Sequence, residues 1–210
     1  GKIAREGEGE VQEIIDLEQY TSGLARGPKG VMLPSERELH ELEVRYNPLG
    51  RVGVITSFNF PEAVWGWNVL PALVWGDTVI WKPSLETPLS AIAIQNICNE
   101  VLCKKHGFEG ILNLIIGSNA VIGERIIADS RIPLVSFTGS TKVGAYIGEV
   151  VSGRFGRLIR ECSGNNPMII LDDANIQLAL ENAFFNFIYT TTQRCTSLRR
   201  GFIHEKIFPY

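Results

Sequence analysis

Between residues 50 and 155, short apolar runs alternate with longer helix-like ones, and this alternation narrows the fold more than any other feature of the chain. The short runs cover residues 52–56, 77–81, 111–116 and 134–138. Each is too short for a helix, and each reads as a strand suited to burial on both faces. Residues 62–75, 89–105 and 121–128, and a stretch from Gly139 to about Val151, read as helices. Pro71 interrupts the first, and Pro88 opens the second. Ile92, Ile97, Val101 and Leu102 are expected on the core side of the second helix. Strand and helix repeated in this way predict a mostly parallel α/β sheet with right-handed crossovers. Ligands in such sheets bind beyond the carboxyl ends of strands. Asn59, Lys82 and the corner Thr138-Gly139-Ser140 fall there.

The flanks are less regular. Val11, Ile14 and Ile15 could share a helix face within residues 1–20. Residues 21–37, rich in glycine and proline, read as loop. Leu39, Leu42, Val44 and Tyr46 suggest an exposed strand. Beyond residue 155, the segments 168–171 and 201–203 read as strands, and residues 176–189 as an apolar helix.

Composition bounds the function classes. The chain is 45% hydrophobic and 20% charged, with net charge -3. No basic block suggests a nucleic-acid partner. No apolar run approaches the roughly 18 residues of a membrane span, and the start carries no apolar secretory segment. Four cysteines in a chain with ample apolar residues suggest a reducing compartment rather than a disulfide scaffold. A cytoplasmic location is expected, with the mitochondrion as the alternative. Cys98 and Cys103 have no histidine at a useful spacing, so no metal site is expected.

Cys195 stands beside Arg194, among threonines and away from the other cysteines. An adjacent cation favours the thiolate, which makes Cys195 a candidate nucleophile; the plainer reading is an incidental buried thiol. Asn59 offers an amide donor to a developing oxyanion, or bonds its own backbone. Glu161 would serve as a general base if burial raised its pKa; otherwise it is a surface carboxylate. Lys82 reaches a ribose or phosphate, or snorkels to solvent. Gly139 and Ser140 open a helix whose N-terminus suits a phosphate, or form an ordinary capped turn. A thiol, an amide donor, a carboxylate and a dinucleotide corner together match aldehyde oxidation.

Five motifs then resemble the aldehyde dehydrogenase superfamily, in the family's order. They are Phe58-Asn59-Phe60-Pro61, Trp81-Lys82-Pro83, Phe137-Thr138-Gly139-Ser140-Thr141, Glu161-Cys162-Ser163-Gly164-Asn165 and Gln193-Arg194-Cys195. The resemblance implies an aldehyde-dehydrogenase-like α/β fold: a Rossmann-type open parallel sheet with flanking helices, followed by the start of a second, catalytic α/β domain. The implied division is an N-terminal helix, loop and oligomerisation strand over 1–49, a dinucleotide-binding domain over 50–163, and an incomplete catalytic domain over 164–210. It implies Cys195 as nucleophile, Glu161 as general base and Asn59 as oxyanion donor. Lys82, Thr138, Gly139 and Ser140 would bind NAD, with NADP left open.

Within the superfamily the chain looks most like the antiquitin branch, the α-aminoadipic semialdehyde dehydrogenases. Gly9-Glu10-Val11-Gln12-Glu13, Trp67-Asn68, Arg154-Phe155-Gly156-Arg157 and Gln193-Arg194-Cys195-Thr196 carry that resemblance. It implies that Arg194 and Glu13 grip the amino-acid end of the substrate, with Phe60 beside them, and that the full-length enzyme is a homotetramer. Thr192 replaces a glycine usual in this loop, which would strain it if positive φ is required. Leu85 replaces a ribose-binding glutamate. The family is roughly twice as long as this chain, compared with the usual domain size range, so the chain looks like an internal piece. The competing expectations are a catalytically inactive aldehyde-dehydrogenase-like binding or interaction protein and a cysteine hydrolase, for which no histidine lies in a supporting motif.

Overall fold

A computed structural model describes residues 2–27 and 29–208. Five strands form one parallel sheet: β3 (Arg51–Ile55), β4 (Thr78–Lys82), β5 (Leu112–Leu114), β6 (Leu134–Gly139) and β7 (Arg157–Cys162). Their spatial order is β5-β4-β3-β6-β7. The chain therefore builds outwards from β3 in one direction, then crosses back to β6 and builds in the other. In register, Val54 lies beside Trp81 on one side and Ser136 on the other, and Thr138 lies beside Glu161.

Each face of the sheet has its own apolar layer. On one, Val52, Val54, Val79, Trp81 and Leu112 pack with Trp65, Val69 and Ala91 from helices α2 (Ala63–Val74) and α3 (Pro88–Cys98). On the other, Ile55, Val135 and Phe137 pack with Ile126 and Ile127 of α4 (Glu124–Ala128) and Ile147 and Val151 of α5 (Thr141–Gly153). Strands covered on both faces explain why their sequences are nearly continuous apolar runs.

Helix α2 passes through Pro71 without ending there. An interior proline costs a helix about 3 kcal/mol. Burying Val69 and the larger Trp65 in the same helix returns about 1.5–3 kcal/mol each. Tertiary burial therefore outweighs the local breaker.

Two expectations are corrected. The segment read as loop over 21–37 is largely regular: helix α1 (Ala4–Ala25) extends into it, and strand β1 (Gly30–Pro34) pairs antiparallel with β2 (Glu41–Arg45). Val31, Met32 and Leu33 satisfy their backbone in this hairpin, while the glycines and prolines around them mimic a longer loop signal. Pro28, part of that segment, lies outside the described residues. The inner face of α3 is also rotated from the expected one. Ala91, Ile94 and Cys98 pack on the core, as the expected Leu102 does beyond them, whereas Ile92, Ile97 and Val101 are exposed. The small residues mark the closest approach to the sheet, and the Gln95 amide donates to the Leu112 carbonyl at 3.0 Å. After Cys98 the helix continues as wide π-type turns over Asn99–Lys105.

A second, two-stranded parallel sheet joins β8 (Asn166–Ile170) to β9 (Leu198–Ile203). Helix α6 (Ile176–Ile188) lies between them in sequence and leads into the turn Tyr189–Thr192 before Cys195. Among the described residues, no helix is long and apolar enough to cross a membrane, and no cluster of three or more His, Cys, Asp or Glu is placed to hold a metal ion.

Candidate active site

The sheet reverses its building direction between β3 and β6, which is where open α/β sheets leave a crevice beyond the strand ends. Asn59 follows β3, and Thr138, Gly139 and Ser140 close β6 and start α5. Lys82 ends β4, and Glu161 lies near the end of β7.

Lys82 is buried, with 2% of its surface exposed, so the snorkelling reading fails. Its Nζ donates to the Pro83 carbonyl at 3.1 Å. Burial pushes its pKa below the ordinary lysine value. An ammonium held this way has donors to spare for oxygens of a ligand. Ser140 is exposed and caps α5, its Oγ accepting from the Val143 N–H at 3.3 Å. A Cβ on Gly139 would lie 2.5 Å from the Phe137 ring, so any larger residue would have to displace that buried ring. A buried amine and a helix N-terminus at neighbouring strand ends fit a ligand carrying hydroxyl and phosphate oxygens.

The turn before Cys195 is strained. Thr190 (φ 53°), Thr191 (φ 49°) and Thr192 (φ 63°) all adopt the left-handed conformation. The strain anticipated at Thr192 is present, and it extends to two further β-branched residues. Each such residue costs on the order of 1–3 kcal/mol and persists only where its surroundings fix it. Those fixings come from distant parts of the chain. The Glu6 carboxylate of α1 accepts from the Thr190 N–H at 2.8 Å and from its hydroxyl at 3.1 Å. The Asn59 amide donates to the Gln193 carbonyl at 2.7 Å, and Asn59 in turn accepts from the Ser57 hydroxyl at 2.6 Å. Arg199 donates to the Thr192 carbonyl at 2.9 Å.

Cys195 is exposed rather than a buried core thiol. Its carbonyl accepts from the Asn166 amide at 2.6 Å. A Cβ on Gly164 would lie 2.8 Å from the same carbonyl, so the segment that follows Glu161 is packed directly on the backbone of Cys195. Glu161 itself is exposed, which overturns the expected buried carboxylate. It projects from β7, the last strand of the sheet, where only Leu158 and Cys162 pack against the core.

Arg194 sits 5.4 Å from the Phe60 ring and also faces Phe185 and Tyr189. Its Nε donates to the Thr190 hydroxyl at 2.8 Å, and a second nitrogen lies 3.4 Å from Glu6. The carboxylate beside Arg194 is thus Glu6. Glu13, expected to share a ligand with Arg194, instead accepts from the Trp67 indole at 2.8 Å. It lies seven residues, or about 10 Å, further along the helix. Burial works to raise the Glu6 pKa, but the Thr190 N–H and hydroxyl, with the charges of Arg194 and Lys2, outweigh it and hold the group below the ordinary value.

Sequence reasoning missed Glu6 and also Glu10. Glu10 is buried and accepts from the N–H groups of Glu62 and Ala63 at 3.1 and 3.2 Å, capping α2 from a different helix. It also pairs with Lys2, whose Nζ lies 3.8 Å from the Phe60 ring. Nothing local distinguishes Glu6 and Glu10 from Glu8, since all three sit in an acidic helical stretch. An open cleft of about 680 Å³ runs beside Asn59, lined also by Phe58, Glu62, Glu86, Thr191 and Gln193. Cys195, Arg194, Glu161 and Lys82 do not line it.

A family model described as "Aldehyde dehydrogenase family" matches residues 1–210. "Aldehyde dehydrogenase family 7 member A1" of Pisum sativum is 50% identical over 208 residues, covering 99% of this chain and 41% of the relative. The "Alpha-aminoadipic semialdehyde dehydrogenase" of Rattus norvegicus is 44% identical over 207 residues, covering 99% and 38%. The crystal structure of betaine aldehyde dehydrogenase from Staphylococcus aureus in complex with NAD+ superposes with a TM-score of 0.93 at 31% identity, covering 99% of this chain and 40% of that one. The chain thus spans about two fifths of the length of these relatives.

Proposed function

The chain belongs to the aldehyde dehydrogenase family, and from that premise we propose that the whole protein oxidises an amino-acid-derived semialdehyde, α-aminoadipic semialdehyde foremost, to its carboxylate with NAD. Relatives of the semialdehyde dehydrogenase branch and an NAD+ complex among similar structures support the reading.

In this reading the Cys195 thiolate adds to the aldehyde carbon and forms a thiohemiacetal. One Asn59 N–H is committed to Gln193, and the amide's other N–H is left to donate to the developing oxyanion. NAD, when held at Lys82, Thr138, Gly139 and Ser140, would supply the hydride acceptor for this oxidation, leaving a thioester on Cys195. Glu161, exposed at the end of β7, takes a proton from the water that hydrolyses the thioester and frees Cys195. Lys82 and Ser140 hold the ribose and pyrophosphate ends of the dinucleotide. The Arg194 guanidinium carries five N–H donors, and two are directed at Thr190 and Glu6. Three remain for the substrate's carboxylate, and Phe60 flanks them. Glu13 gives one carboxylate oxygen to Trp67 and keeps the other for the substrate's amine in this proposal. With Leu85 exposed beyond Lys82, NADP is the competing cofactor.

The observation that supports the proposal is the Asn59–Gln193 hydrogen bond, which ties the Asn59 amide to the tripeptide Gln193-Arg194-Cys195. The test is NAD reduction by the full-length protein with α-aminoadipic semialdehyde. Cys195→Ala is expected to abolish turnover and leave NAD binding intact; turnover that survives this substitution removes Cys195 from the mechanism. The three left-handed threonines favour a second reading, a catalytically inactive binding protein. NAD binding without turnover on any aldehyde in the full-length protein would support it.

A further inference from the structure

We propose that Glu6 is a positioning residue that fixes the left-handed turn of Thr190, Thr191 and Thr192 and thereby the placement of Cys195. The effect on catalysis rests on the reading of Cys195 as nucleophile; the effect on the turn does not.

Thr190 is buried, with 4% of its surface exposed. Its N–H cannot turn to water, and Glu6 accepts it. The same carboxylate oxygen takes the Thr190 hydroxyl and faces Arg194, and Arg194 closes the ring by donating to that hydroxyl. One acidic side chain therefore satisfies the first residue of the turn and orients the residue next to the thiol. A buried donor left unpaired is costly, and three β-branched residues at positive φ are ready to relax. Removing the acceptor should release the turn.

The position of Glu6 is itself fixed. Ile14 and Leu17 of α1 pack on Gly66 of α2, where an added Cβ would meet Ile14 at 3.1 Å. Glu10 bonds the first N–H groups around the start of α2, and Glu13 accepts from Trp67. Asn59 stands just ahead of α2, so the turn is gripped by Glu6 and Asn59 from two elements that are locked to each other. Glu6 reaches Thr190 across 184 residues of sequence, and the bond ties the first helix to the cysteine loop.

The test uses Glu6→Ala, which removes the acceptor, in the full-length protein, with hydrogen exchange and kinetics read together. Glu6→Ala is expected to speed exchange of the Thr190 amide at least tenfold while the amides of β3 and β6 keep their protection. The value of kcat should fall at least tenfold with the KM for NAD unchanged within a factor of two. Adding Thr191→Gly and Thr192→Gly should restore kcat to within threefold, because glycine adopts positive φ without strain. Thr190 exchange within twofold of the parent overturns the proposal, as does a kcat loss that the glycines do not rescue. If Glu6→Ala also exposes β3 and β6, Glu6→Asp keeps the charge and shortens the reach, and the same selective loss at Thr190 is required of it. A parent without Cys195-dependent turnover defeats the proposed function, while the exchange result still decides the positioning role.

Discussion

The side-chain amide of Asn59 and the backbone carbonyl of Gln193 are joined at 2.7 Å, although 134 residues separate them in the chain. The bond orients the amide and restrains the loop at once. Asn59→Ala in the full-length protein is expected to lower kcat about 10²–10³-fold, the usual effect of removing one oxyanion donor. Asn59→Asp replaces the donor with an acceptor facing another acceptor, and should lose at least as much. A loss under tenfold in steady-state assays would contradict the oxyanion role.

Lys82 illustrates a conflict between stability and binding. Its charged form is disfavoured by burial, and a carbonyl is its partner. Because its folded pKa is lowered, the folded state carries this cost at neutral pH and is relieved of it as pH rises through the folded value. Lys82→Met is expected to raise stability by roughly 1 kcal/mol and to weaken dinucleotide binding at least tenfold, about 1.4 kcal/mol. Urea unfolding and NAD titration of the same variant check both halves. A variant less stable than the parent would show that the buried amine is better satisfied than its single carbonyl implies.

Glu10→Ala strips the cap from α2 and leaves Lys2 without its carboxylate. The expected cost is about 2–3 kcal/mol, because buried N–H groups lose a charged acceptor. Glu10→Gln keeps an acceptor oxygen and should cost about half as much. Equilibrium unfolding in urea separates the two, and equal stabilities would rule out the capping role.

The Glu6 interactions also predict a pH dependence. The folded pKa lies below the ordinary value of 4.5. Between the two values the unfolded chain binds a proton that the folded chain does not. The stabilisation is therefore complete above pH 4.5 and is lost as pH falls through the folded pKa. The difference in urea midpoint between the parent and Glu6→Gln should be flat near neutrality and shrink below that pH. A difference that grows on acidification would reverse the assignment.

The parallel sheet could be read from the sequence because doubly covered strands leave an unbroken apolar signature, as residues 52–56 and 134–138 do. The face of α3 could not, because closest approach selects Ala91 and Cys98 over the larger Ile92 and Ile97. Strand β1 was hidden by glycine and proline at its edges, while its partner β2 was legible as an exposed strand. At the site, the positive φ at position 192 was signalled by the glycine usual there in the family's loop and against the type of the threonine itself, whereas the exposure of Glu161 depends on β7 ending the sheet. Glu6 gave no local signal. Its role exists only through a contact made by the far end of the chain, and periodicity carries no information about such contacts.

The 184-residue span between Glu6 and Thr190 has a consequence for the order of assembly. Neighbouring strands of the large sheet are all closer in sequence than this, even β3 and β6, which β4 and β5 separate along the chain. The grip on the cysteine turn needs both the first helix and residues emerging long after it. Distant contacts form late because their closure entropy must be met first. During synthesis, the sheet can therefore be complete while the thiol is still unheld, and the reactive group is set in place only after the surface it works against has formed.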